Sequence, residues 1–150
     1  MIVEARHEDL LQIVDLAQML LVEAPFVPVE TFSRTKTQRL LGSLIQSPNG
    51  ILLVKWVEAG IVGAMAGVVV EHVFGYERYG QEFGLFVHPG WRGGFTAAAL
   101  IRRFEKEVQA RGGVEFRPGI MTGYRVEETT RLYQRLGYKL CGTQLVKRWA

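Results

Sequence analysis

The sequence predicts an α/β chain: a mixed, mostly antiparallel sheet with helices on both faces. Three observations carry that expectation. Stretches whose apolar residues recur with a period near two alternate along the chain with stretches of helical period. Glu58-Ala59-Gly60 separates two apolar runs as a hairpin, which makes neighbouring strands antiparallel. A strand, a glycine turn, a helix and another strand then follow one another from Glu82 onward, the pattern of a crossover connection.

Each element has its own signal. Ile2 to Ala5 reads as a first strand. Glu8 to Val22 places Leu10, Ile13, Val14, Ala17, Leu20 and Leu21 on one helical face. Glu8 and Asp9 sit near its N-terminus, where negative charge is favourable, and Pro25 and Pro28 close it. A second helix spans Glu30 to Gln46, with Leu40, Leu41, Leu44 and Ile45 as its apolar side. Ser47-Pro48-Asn49-Gly50 is a turn, and Ile51 to Val57 and Ile61 to Val73 are strands. A loop from Gly75 to Gly80 leads into a strand in which Phe83, Leu85 and Val87 alternate with Glu82, Gly84 and Phe86. Pro89 ends that ladder because it has no N–H to give.

Beyond the turn, Ala97, Leu100, Ile101, Phe104 and Val108 recur at helical spacing, and Gly112-Gly113 stops the helix. Val114 to Met121 is a strand interrupted by Pro118-Gly119, and Glu127 to Leu136 is a short helix stopped by Gly137. Tyr138 to Cys141 and Gln144 to Trp149 are expected to form a terminal hairpin around Gly142-Thr143. The order is β-α-α-β-β-β-α-β-α-β-β, in one domain over residues 1–150.

Composition excludes several classes. The chain is 48% hydrophobic and 22% charged, ordinary globular values. A net charge of +3 suits an anionic ligand and is too weak to demand nucleic acid. Cys141 is the only cysteine, so neither an internal disulfide nor a thiolate metal cluster can form, and His7, His72 and His88 have no metal spacing. No metal is therefore expected. No signal peptide is visible, and the longest apolar stretch, Ile61 to Val70, is too short to span a bilayer. A cytoplasmic protein without a membrane partner is expected.

The strongest functional signal is the glycine turn. The first N–H groups of a helix lack internal partners, and the macrodipole places partial positive charge there. Gly93 and Gly94 let an anion approach the main chain, and Arg92 adds a permanent charge suited to phosphate. A phosphate-bearing ligand is expected on the turn. Neither a Gly-Lys-Ser/Thr loop nor a dinucleotide fingerprint is present.

Val87-His88-Pro89, then Arg92-Gly93-Gly94-Phe95-Thr96-Ala97, then Ala98-Ala99-Leu100 resembles the acyl-CoA motif of the GCN5-related N-acetyltransferase (GNAT) family. Phe95 stands where the family usually has its central glycine. A second match, Arg131-Leu132-Tyr133-Gln134-Arg135-Leu136-Gly137-Tyr138, resembles the family's Leu-Tyr-x-x-x-Gly-Phe segment, with Tyr138 in place of Phe and Val126 at a common Asn position. The element order is similar to the acyl-CoA N-acyltransferase fold over essentially the whole chain.

The resemblance implies transfer of an acetyl group from acetyl-CoA to a primary amine by direct attack in a ternary complex. It implies cofactor contacts from Arg92, Gly93, Gly94, Phe95, Thr96 and Ala97, and Tyr133 as general acid to the CoA thiolate. The main-chain amides of Phe86 and Val87 would hold the thioester oxygen and pantetheine where this strand splays from its neighbour. Glu82 is the candidate base, since strict alternation puts it on the same strand face as Phe86; its other reading is an exposed strand carboxylate. A catalytically inactive acyl-CoA-binding module is the alternative. The acceptor is a small molecule, a protein amine or an aminoacyl group, with nucleic acid expected only as a tRNA carrier of that group. A second copy pairing on the terminal hairpin would make a homodimer. Phe74, Tyr76 and Tyr79 are placed for acceptor recognition or for loop packing, His88 for a loop hydrogen bond, and Cys141 for the core.

Overall fold

The computed structural model describes residues 1–25, 32–120 and 122–149. The elements are β1 (Ile2–Glu4), α1 (Leu10–Leu21), α2 (Arg34–Gln46), β2 (Gly50–Val57), β3 (Gly60–Glu71), β4 (Arg78–Val87), α3 (Thr96–Ala110), β5 (Gly113–Arg117) and α4 (Val126–Arg135). They build a five-stranded sheet in the order β1-β2-β3-β4-β5. The pairs from β1 to β4 are antiparallel, and β4–β5 is parallel because α3 crosses over between them.

The sheet is apolar on both faces, so its central strands read as continuous hydrophobic runs. In β2, Leu52 and Val54 face Ile13, Val14, Leu41 and Leu44 of α1 and α2. Ile51 and Leu53 face the other way, with Met65, Leu100, Phe104 and Tyr133 beneath α3 and α4. The mixed sheet with helices on both faces is the expected architecture.

Two irregularities position the site. The β3–β4 register pairs Ala66 with Gly84 but Gly67 with Glu82, so Phe83 is an extra, bulged residue. A bulge shifts alternation by one, and Glu82 therefore lies on the opposite sheet face from Phe86. Phe86 belongs with the α1–α2 core, whereas Glu82 reaches Tyr133 of the α3–α4 core. Strict alternation across the bulge does not hold. The second irregularity is that β4–β5 pairing ends at Gln81↔Arg117, just before Pro118, so β4 parts from β5 from Glu82 onward.

Several boundaries differ from expectation. α2 begins at Arg34 behind Ser33, whose hydroxyl accepts the Lys36 N–H at 3.0 Å, and the start expected at Glu30 lies outside the described residues. β5 ends at Arg117 instead of running on to Met121, because Pro118 cannot continue the ladder. The terminal hairpin is not formed: Tyr138 to Trp149 carry no ladder, and Leu140, Leu145, Val146 and Trp149 are exposed. A lone two-stranded hairpin is marginal, and Gly142-Thr143 lacks the Asn-Gly or Asp-Gly chemistry that closes the tightest turns. Cys141 is accordingly exposed and not a core residue. Among the described residues no helix is long and apolar enough to cross a membrane.

Candidate active site

Where β4 leaves β5, a cavity of about 570 Å³ opens between β4, the turn after it, α4 and the end of α1. Its floor is the free side of β4. The His88 N–H donates to Val62 O at 2.8 Å, so His88 faces β3. By the alternation of an antiparallel ladder the Phe86 amide also faces β3, while the amides of Leu85 and Val87 face the cavity. The Phe86 side chain and Val87 both line it.

The turn is built to leave amides free. Residues Pro89–Trp91 form a single 3₁₀ turn, and His88 Nδ1 accepts the Gly90 N–H at 3.1 Å, the loop role expected of it. Gly93 has φ +77°, a left-handed conformation that glycine adopts without penalty. A Cβ at Gly93 would meet nothing within 4 Å, and one at Gly94 only the Trp91 carbonyl at 4.0 Å. α3 then starts at Thr96 with no side-chain cap and no acidic residue in its first turn. The space over the turn and the uncapped N–H groups beside it fit an anionic group. Gly93, Gly94, Arg92 and Ala97 line the cavity. Phe95 does not: it is 90% exposed, so its ring stands clear of the cradle. Thr96, the first residue of α3, is buried and does not line the cavity.

The Arg92 guanidinium is engaged from three sides. Nη2 donates to Glu23 Oε2 at 3.1 Å, Nη1 to Tyr124 Oη at 3.1 Å, and Nε to Val87 O at 3.4 Å. It also lies 5.4 Å from the Tyr124 ring centroid. Arg92 thus joins the end of α1 to the segment before α4, across the mouth of the cavity. Its charge holds the Glu23 carboxyl below the usual range, mainly through that hydrogen bond.

Glu82 and Tyr133 meet deeper in. The Tyr133 hydroxyl donates to Glu82 Oε2 at 3.4 Å. Burial lifts the Glu82 pKa to about 7, opposed by the hydrogen bonds from Tyr133 and from the Gly119 N–H. Burial also pushes the Tyr133 phenol well above its ordinary value, reinforced by the nearby Glu82 charge. The pair therefore combines a carboxyl that exchanges its proton near neutrality with a hydroxyl that keeps its own.

The sequence model of the Acetyltransferase (GNAT) family matches residues 14–138. The chain belongs to this family. Solved structures share the acetyltransferase's fold. A transcriptional regulator from Bacillus halodurans C-125 superimposes with a TM-score of 0.80 at 18% identity, covering 99% of each chain. A ribosomal-protein-alanine N-acetyltransferase from Brucella melitensis biovar Abortus 2308 gives 0.73 at 19% identity over 100% of this chain and 99% of that one. An aminoglycoside 6'-N-acetyltransferase from Acinetobacter haemolyticus gives 0.75 at 16% identity over 100% and 98%.

The acetyltransferase's cavity gathers Glu82, Tyr133, Phe86, Val87, Arg92, Gly93, Gly94 and Ala97. It does not gather Phe74 or Tyr76, which are exposed at the β3–β4 turn, at the far end of β4. Tyr79 instead lies beneath the Arg117 guanidinium, 5.6 Å from its ring centroid. Sequence reasoning missed Tyr124 and Glu23. Tyr124, an aromatic between Gly123 and Arg125 ahead of a helix, carried a local signal; Glu23, an ordinary exposed carboxylate after α1, carried none.

Proposed function

We propose that this acetyltransferase moves an acetyl group from acetyl-CoA to a primary amine by direct attack in a ternary complex, with Tyr133 as the general acid. One observation carries the reading: a single cavity joins an uncapped helix N-terminus over a glycine turn to a half-buried Glu82 in contact with the buried Tyr133. Acetyl-CoA supplies an activated thioester. The amides at the start of α3, with Gly93 and Gly94, hold its phosphates, and Arg92 adds its charge at the rim. The Val87 amide, facing the cavity, orients the acyl end.

The amine must be neutral to attack. The ionised Glu82, with its pKa near 7, takes the one proton that the nitrogen of an already neutral amine loses as it attacks. The new N–C bond forms as the C–S bond breaks, and Tyr133 gives its Oη proton to the departing sulfur. Glu82 then returns the amine's proton to that oxygen along the 3.4 Å contact. Both side chains regain their starting states, and the products are an amide and a thiol.

Calorimetric titration with acetyl-CoA and with CoA tests the first half. About one ligand per chain is expected, with binding roughly tenfold weaker in Arg92→Ala, the scale of one charge-assisted contact. A panel of primary amines, read by thiol release, tests the second half, and Tyr133→Phe is expected to lower kcat about a hundredfold while cofactor affinity holds. Absence of binding at millimolar ligand overturns the reading. Binding without transfer to any amine, indifferent to Tyr133→Phe, identifies an acyl-CoA-binding module instead.

A further inference from the structure

Tyr138 occupies the place where the motif has Phe, and its extra hydroxyl has a partner. It donates to Glu105 Oε1 on α3 at 2.5 Å. Tyr138 is also joined to Tyr133 twice. α4 ends with Gly137 at φ +97°, whose N–H donates to Gln134 O at 3.0 Å, while the Tyr138 N–H donates to Tyr133 O at 3.1 Å. This is a Schellman arrangement, which sets the residue after the glycine against the residue five positions before it. The two rings accordingly meet edge to face, 5.1 Å apart at 77°. Phe116 of β5 meets the Tyr138 ring at 6.0 Å. Moving Tyr138 therefore moves Tyr133.

α4 needs such a fixture. Among the described residues, apart from the pair that Glu128 makes with the adjoining Arg125, two side-chain hydrogen bonds run from Val126–Trp149 to the rest of the protein: Tyr133 to Glu82 at 3.4 Å and Tyr138 to Glu105 at 2.5 Å. The first is long and weak, and the second is short and made to a carboxylate. Among the described residues no strand after α4 docks onto the sheet to hold the helix from behind. Glu105 lies on α3, the same helix whose N-terminus forms the anion cradle.

We propose that the Tyr138–Glu105 hydrogen bond positions Tyr133, tying the C-terminal end of α4 to α3 so that the catalytic hydroxyl keeps its place relative to Glu82 and to the glycine turn. Tyr138 and Glu105 are positioning residues; they act through Tyr133. The inference rests on reading Tyr133 as the acid, and its test requires no acceptor, so the two can fail separately.

The test labels tyrosine with ¹³C at Cζ and follows the Tyr133 signal, identified by its loss in Tyr133→Phe. In the wild-type protein this signal is expected to move between pH 6 and pH 8 as Glu82 changes charge beside the hydroxyl. Tyr138→Phe removes only the anchoring hydroxyl, and Glu105→Ala only its acceptor. Each is expected to at least halve that movement. Glu105→Gln keeps an acceptor oxygen and is expected to retain it. A bond that merely stabilised the fold would lower the melting temperature and leave the Tyr133–Glu82 coupling intact. An undiminished movement in folded Tyr138→Phe and Glu105→Ala overturns the proposal, and so does a loss in Glu105→Gln equal to that in Glu105→Ala.

Discussion

Burial acts on Glu82 and Tyr133 in one direction, raising both pKa values, and the shared shift separates their roles. Tyr133 stays protonated throughout the neutral range, whereas Glu82 changes charge within it. Acetyl transfer is therefore expected to fall on the acid side of a midpoint near pH 7. Glu82→Gln should abolish that limb together with most of the rate, which a pH profile of kcat/KM with any accepted amine would show. The same shift has a stability consequence. Below the unfolded value of 4.5 the carboxyl is protonated in both states and contributes nothing. Between 4.5 and about 7 the folded protein holds a proton that the unfolded chain has released, so stability falls as pH rises, and the full cost is present above 7. Glu82→Gln is expected to stabilise by roughly 1–3 kcal/mol at pH 8, discounted for partial exposure, and by almost nothing at pH 4, as read by urea melts at both.

The bulge at Phe83 and the glycine turn do more for the site than any complete element. Without the extra residue, Glu82 would face α1 and α2, away from Tyr133. The turn offers a sharper experiment. A Cβ at Gly94 points into space, its nearest neighbour the Trp91 carbonyl at 4.0 Å. Gly94→Val is expected to leave the melting temperature nearly unchanged while weakening CoA binding at least tenfold, because the branched side chain occupies the approach of a phosphate to the amides. Equal loss of stability and binding would show that the turn's conformation, not its openness, requires the glycine.

Over the molecule as a whole, the sheet separates two apolar layers, and α3 contributes more buried residues to one of them than any other element. Phe104 is fully buried there and stacks against Phe116 at 4.9 Å. Its removal as Phe104→Ala is expected to cost about 3–5 kcal/mol, measured by denaturant unfolding, since the close-packed site cannot collapse. α3 is also tied to β1, the opposite edge strand, by Arg103 Nη1 to Ile2 O at 3.2 Å and by Arg111 to Glu4 at 3.4 Å. The helix that follows the glycine turn is thereby fastened at its middle and at its C-terminal end.

Features that depend on neighbours in the chain were legible from residues alone. The periods of the strands and helices, the hairpin at Glu58-Ala59-Gly60 and the strand–glycine turn–helix unit all arise from local backbone geometry and side-chain spacing. The resemblance of two motifs supplied Tyr133. The face of Glu82 was not legible, because one bulged residue reverses alternation and nothing local marks Phe83 as extra. Nor were the side-chain partners of Arg92, Glu23 and Tyr124, which lie 69 and 32 residues away and are brought to it by the packing of α1 and the loop before α4. The terminal segment failed in the other sense: its period suited a hairpin, but a strand exists only where another strand accepts its hydrogen bonds. The sequence by itself determined the strands and helices from β1 to α4 and the glycine turn that opens α3. Only the tertiary structure decided which side chains meet in the cleft, because long-range partners are chosen by packing and not by spacing.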